Sequence, residues 1–125
     1  GGHGTMFDLP ENTKLQEVIR DLYEQNKVVA AVCHGPAGLV GVKLSDGTPL
    51  VAGKKVTAFT DAEEVATTLD QYMPFLLETR MRELGAQFVA AENWSDHVQR
   101  DGQLITGQNP QSTVSVAKEV LKQLA

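Results

Sequence analysis

Val28-Val29-Ala30-Ala31-Val32-Cys33-His34-Gly35-Pro36-Ala37 sets an unbroken apolar run directly against a thiol, an imidazole, a glycine and a proline. A short continuous apolar run of this kind fits a strand covered on both faces in a parallel sheet. Gly35-Pro36 then opens a helical stretch toward Val42, since proline at a first helical position gives up an N–H that has no partner there. Strand, sharp turn and helix in that order make a nucleophile elbow, with Cys33 at the turn. A side chain so placed stands clear of the sheet, and the free N–H groups of the helix start favour a thiolate. Gly35, without a Cβ, lets substrate approach the backbone closely. The competing reading takes Cys33 as a small core hydrophobe at a strand end, because free cysteine is among the most buried residue types. The His-Gly-Pro that follows decides for the nucleophile, with His34 as its adjacent base.

Outward from the elbow, helix and strand signals alternate. Leu15, Val18, Ile19, Leu22 and Tyr23 recur at helical spacing and predict an amphipathic helix over Asn12 to Asn26. Lys43 to Lys54, with Asp46-Gly47 and Gly53, reads as a turn-rich excursion returning to a strand at Lys55 to Phe59. Thr60 to Asp70 reads as a functional loop. Pro74 at a first helical position, the set Phe75, Leu77, Met81 and Leu84, and Gly85 past the end predict a further helix. Gln87 to Ala90 reads as a strand, and Asp101-Gly102 between apolar runs predicts a hairpin over Val98 to Thr106. Asn109-Pro110 caps a last helix whose face carries Val114, Ala117, Val120, Leu121 and Leu124. This alternation implies one α/β domain over residues 1–125, a layered sandwich with a mostly parallel sheet.

Composition narrows the functions. The chain has 125 residues, 42% hydrophobic and 22% charged, enough for one packed core. Its net charge of −5 comes without a Lys/Arg cluster, which leaves no footprint for a phosphate backbone and argues against nucleic acid. No apolar run of about 18 residues points to a membrane span. With a single cysteine no internal disulfide is possible, and a cytoplasmic setting is expected. His97 lacks ligand-like spacing to Cys33 or His3, so it reads as a surface residue and no metal is expected. Trp94 and the other aromatics are scattered, and core packing is their expected role.

Four motifs in order extend the signal beyond the elbow. Gly1-Gly2-His3-Gly4-Thr5, Ala31-Val32-Cys33-His34-Gly35-Pro36-Ala37, Ala58-Phe59-Thr60-Asp61 and Leu104-Ile105-Thr106-Gly107-Gln108-Asn109-Pro110 cover nearly the whole chain. Together they resemble the ThiJ/PfpI superfamily, relatives of the class I glutamine amidotransferases, and within it the branch of heat-shock holding chaperones with glyoxalase III activity. The resemblance implies a flavodoxin-like fold and a Cys-His pair completed by an acidic residue. It selects Glu64 over its neighbours Asp61 and Glu63, which read alone as an acidic helix start. Glu64 would orient His34 and stabilise its imidazolium, so Glu64→Gln should weaken catalysis while Glu63→Gln stays nearly silent. Gly2 and the N–H of His34 match the backbone donors of the superfamily's oxyanion hole, and His3 would line the pocket mouth.

The implied reaction is glutathione-independent conversion of a small reactive carbonyl such as methylglyoxal to D-lactate, without a cofactor. Deglycation uses the same chemistry. A holding chaperone or cysteine redox sensor is the alternative from another class, and an amidase or peptidase is a weaker enzymatic one. The superfamily's second acidic residue, near the sulfur, has no counterpart here. A buried parallel strand needs two neighbours and the glycine loop needs a strand entering it. An N-terminal segment of the same protein, about 90 to 110 residues long, is therefore expected to supply the first strands and part of a homodimer interface.

Overall fold

The computed structural model describes residues 1–125. The apolar run becomes strand β1 (Val29–Val32), which pairs in parallel with β5 (Leu104–Gly107), Val29 opposite Leu104 and Val32 opposite Gly107. β5 pairs antiparallel with β4 (Val98–Asp101), so the hairpin forms where Asp101-Gly102 predicts it. Gly102 takes φ 60, a conformation that glycine reaches without a Cβ clash. The strand order β1-β5-β4 places β1 at the edge of this three-stranded sheet. Ala30 is correspondingly exposed, and within these residues β1 has a neighbour on one side only.

A second sheet, β2 (Lys55–Val56) with β3 (Gln87–Phe88), is also parallel and much shorter than predicted. The reason lies just after Val56. Thr57 N–H donates to Thr106 Oγ1 at 2.9 Å and Phe59 N–H donates to the Cys33 carbonyl at 2.9 Å, so this stretch ties the two sheets together instead of extending a ladder. It also carries Phe59 and Thr60 to the elbow.

Helices α2 (Thr13–Glu24) and α5 (Thr113–Leu124) pack on the β1–β5 pair. A Cβ at Gly107 would come within 2.5 Å of Val116 Cγ2, so the close seating of α5 requires glycine there. Asn12 caps α2 by accepting from Leu15 N–H at 2.9 Å, as its residue type predicts. The stripe on α2 is only half used, with Ile19 and Tyr23 against the core and Val18 and Leu22 exposed. The core is built from Met6, Leu50, Val56, Met81 and Leu104, all 1% exposed or less. No helix is long and apolar enough to cross a membrane.

Several elements differ from the sequence reading. Gly35–Leu39 forms a 3₁₀ turn rather than an α-helix reaching Val42. Helix α4 (Leu77–Glu83) starts at Leu77, with Pro74 and Phe75 outside it. The segment after Thr60 is helix α3 (Asp61–Thr67), because Thr60 and Glu63 form a reciprocal capping box. The glycines at the start lead into a short helix α1 (Thr5–Asp8), and Thr5 Oγ1 lies within hydrogen-bonding distance of the Gly2 carbonyl (2.9 Å) and the His34 carbonyl (3.1 Å), holding this loop on the elbow.

Candidate active site

Cys33 stands at φ 64, in the left-handed region that few non-glycine residues adopt. That conformation marks the sharp turn of an elbow, and it is secured from both sides. Cys33 N–H donates to the Gly107 carbonyl at 2.9 Å, while the Cys33 carbonyl accepts from Phe59. The turn swings the next side chain back toward the sulfur, so that His34 Nδ1 lies 3.5 Å from Cys33 Sγ. On the far side of the ring, His34 Nε2 lies 2.8 Å from Glu64 Oε1. Glu64 comes from the first turn of α3, which the capping box at Thr60 aims toward the elbow. Thus the three residues that the resemblance selects lie in one line: thiol, imidazole, carboxylate.

The three remaining site residues named from sequence sit beside this line. Gly2, at φ 86, and Gly35 have backbone N–H groups with no protein acceptor, which leaves them open to a bound oxyanion. A Cβ on Gly35 would meet Ala31 Cβ at an ordinary 3.7 Å, so packing within this chain does not require glycine here. His3 does more than line the mouth: its Nε2 lies 2.7 Å from Glu64 Oε2. Glu64 therefore serves two imidazoles, and Thr67 Oγ1 lies 3.0 Å from the same Oε2, where it can also donate.

The electrostatics fix the resting protonation state. Burial would raise the Glu64 carboxyl, but hydrogen bonds from His34, His3 and Thr67 outweigh it and hold Glu64 below the ordinary carboxylate value. Burial pushes the His34 imidazole below 6.5, against the opposing pull of Glu64. The Cys33 thiol is pushed up to about 11, chiefly by burial and further by the charges of Glu63 and Glu64, against the favourable His34 N–H. Burial thus opposes the thiolate that the free N–H groups of the elbow favour, and the turn offering them is only a short 3₁₀ segment. These directions favour a thiol, a neutral imidazole and an ionised carboxylate at rest. With Nε2–H given to Glu64, the Nδ1 lone pair faces the sulfur, which is the tautomer a general base needs.

Glu63 has a separate task. It is fully buried, and its Oε1 accepts from Thr60 N–H and Thr60 Oγ1, both at 3.0 Å. Its Oε2 accepts from Trp94 N–H at 2.8 Å and Asn109 Nδ2 at 2.9 Å. All four partners are donors, so an amide in place of the carboxylate turns an NH₂ against another donor whichever way it faces. Glu63→Gln is therefore expected to cost about 2 kcal/mol of stability in denaturant unfolding. Glu64→Gln is expected to spare stability and lower kcat by about 100-fold. Half-exposed His3 can move its proton to the other nitrogen, so the amide oxygen stays with His34 and the loss is one of charge. Equal stability of the two variants would contradict this division of labour.

A pocket of about 490 Å³ opens over the sulfur, bounded by Gly2, His3, Val32, Phe59, Trp94 and Pro110. Another cavity, of about 530 Å³ beside Met6, Val40, Phe75 and Arg80, holds neither a thiol nor an imidazole. His97, as expected, stays outside the site, its Nε2 3.2 Å from the Val89 carbonyl. The ligand atoms of His3, His34 and Glu64 lie within 4.8 Å of one another. A cation there would have to displace the hydrogen bonds both imidazoles make to Glu64, so the trio reads first as a proton-sharing group. The expectation of no metal rested on spacing along the chain, which does not register a pair 61 residues apart. Sequence reasoning missed the His3–Glu64 link, the Glu63 clamp and Trp94 as a pocket residue, since core packing was its expected role. Only the left-handed turn at Trp94 sets it apart, and nothing in its residue type announces that.

Comparison with known proteins follows this geometry. The model of the DJ-1/PfpI family matches residues 1–123. A curated relative, the glutathione-independent glyoxalase hsp3101 of Schizosaccharomyces pombe, is 43% identical over 130 residues, covering 98% of this chain and 53% of its own length. The crystal structure of glyoxalase III from Candida albicans superposes with a TM-score of 0.88 at 36% identity, over 98% of this chain and 54% of that one. The X-ray structure of the Rapid Encystment Protein 24 KDa of Francisella tularensis superposes with a TM-score of 0.98 at 40% identity, over 100% of this chain and 56% of that one. The chain spans about half the length of the curated relatives it matches, between 51% and 58% for the first of them.

Proposed function

The chain belongs to the DJ-1/PfpI family, and on that premise we propose that the protein is a glutathione-independent glyoxalase whose nucleophile is Cys33. The observation that carries the reading is the line from Cys33 Sγ through His34 to Glu64, 3.5 Å and 2.8 Å long, at the floor of an open pocket. Relatives bear the name glutathione-independent glyoxalase, and the substrate class that the resemblance implies is a small reactive carbonyl such as methylglyoxal.

The residues perform the reaction as follows. As the sulfur attacks the aldehyde carbon, His34 Nδ1 takes the thiol proton and Glu64 stabilises the resulting imidazolium. The aldehyde oxygen, negative at that moment, is held by the open N–H groups near Gly2 and the elbow, then protonated to a hemithioacetal. The proton on the former aldehyde carbon next moves to a base and is returned to the neighbouring carbon, while the hemithioacetal hydroxyl proton passes to the neighbouring oxygen. The first carbon is thereby oxidised and the second reduced, giving a lactoyl thioester on Cys33. Water hydrolyses the thioester, releases lactate and restores the thiol. No external oxidant, reductant or cofactor enters the balance.

A redox-sensor role fits less well, because oxidation follows thiolate character and exposure and this thiol is buried and pushed up to about 11. A homodimer belongs to the same reading and rests on the resemblance, and a cytoplasmic setting on the single cysteine of the sequence. In a glutathione-free mixture the full-length protein is expected to convert methylglyoxal to D-lactate. No lactate, or lactate only with added glutathione, would contradict the proposal.

A further inference from the structure

We propose that Trp94 is a specificity-determining wall of the pocket, positioned by Glu63, that stacks on a flat aromatic substituent of the carbonyl substrate. This rests on the glyoxalase reading above and adds to it the kind of substituent the site favours.

The pocket that residues of this chain bound measures about 490 Å³, within the range that holds drug-sized ligands and more than methylglyoxal fills. Its unused side is aromatic. The rings of His34 and Phe59 are 4.2 Å apart and those of Phe59 and Trp94 5.5 Å apart, so an aromatic surface runs outward from the base beside the sulfur. Phe59 is 3% exposed and packs as support, whereas Trp94 is 40% exposed and shows the indole to the pocket.

The local backbone is organised to present that ring. Ser95 N–H closes a turn on the Glu92 carbonyl at 3.2 Å, and within it Trp94 sits at φ 65, where glycine or asparagine is the usual choice. A bulky side chain in this region is strained, and such strain persists only where the surroundings over-determine it. Here they do: Trp94 N–H donates to buried Glu63 Oε2 at 2.8 Å, and Asn109 Nδ2 donates to the Ser95 carbonyl at 2.7 Å and to the same Glu63 oxygen. Glu63 is thus a positioning residue, acting on substrate through Trp94. A strained turn clamped by a buried carboxylate, an exposed indole and a pocket larger than the smallest substrate are together explained by an aromatic partner for the indole.

The test uses the full-length protein without glutathione, with kcat and KM measured for phenylglyoxal and methylglyoxal. Trp94→Ala is expected to lower the ratio of kcat/KM, phenylglyoxal over methylglyoxal, by about tenfold, mainly through KM for phenylglyoxal. Glu63→Gln should move the ratio in the same direction, and a ratio cancels any effect of the Glu63 charge on the thiol. An unchanged ratio, or one that rises as if Trp94 excluded the larger aldehyde, overturns the proposal. If neither aldehyde is turned over, the glyoxalase reading fails by itself. The wall is then judged by acetophenone binding to Cys33→Ser: saturable quenching of the fluorescence that Trp94→Phe removes supports it, and no such quenching overturns it.

Discussion

Cys33→Ser is expected to lower lactate formation from methylglyoxal by about 10⁴-fold or more, the scale seen when the nucleophile of a catalytic triad is removed. A hydroxyl in this position keeps the shape of the elbow, because the strained φ of 64 is held by the bonds of Cys33 N–H and carbonyl and not by the side chain. What disappears is the sulfur, which is both the better nucleophile and the better leaving group when the lactoyl ester is hydrolysed. Folding should therefore be unaffected while turnover vanishes. Product analysis together with an unfolding curve reads both, and lactate formation near the wild-type rate would remove Cys33 from the mechanism.

His34→Ala is expected to lower kcat by about 10³-fold. The thiol is pushed up to about 11, so almost none of it is ionised at neutral pH unless a base takes the proton during attack. His34 Nδ1, 3.5 Å from the sulfur, is the group in place to do so. Because a thiol without a base reacts through its small thiolate fraction, the variant's rate should climb steeply with pH toward the thiol's own range. Wild type should be much flatter above the lowered range of His34. A variant rate that is flat with pH would show that another group serves as base. His34 is 1% exposed, so an unfolding curve is needed to separate loss of the base from loss of packing.

The elbow was legible because its signals are local: an apolar run, then Cys33, His34, Gly35 and Pro36 within one turn. The hairpin at Asp101-Gly102 and the cap at Asn12 were legible for the same reason. The family resemblance carried Glu64, which lies 30 residues from His34 and had no local sign to favour it over Glu63. What stayed hidden is long-range or environmental. Glu63 acquires its role from Trp94 and Asn109, 31 and 46 residues away, and sequence reads it only as part of an acidic helix start. The helix at Asp61–Thr67 was read as a functional loop, although the acidic helix start and the Thr60–Glu63 capping box both announce it. The ionisation of Cys33 could not be read from its neighbours, because burial and two carboxylates set its sign against the N–H groups that the motif suggests.

The central claim is that Cys33 rests as a thiol and is ionised by His34 only during attack. Ultraviolet absorbance of the thiolate, followed against pH as the difference between wild type and Cys33→Ser, tests it most directly. The account predicts that the difference signal is absent at neutral pH and rises only as the pH approaches about 11. A thiolate signal already complete at pH 7 would show a standing thiolate–imidazolium pair and contradict it.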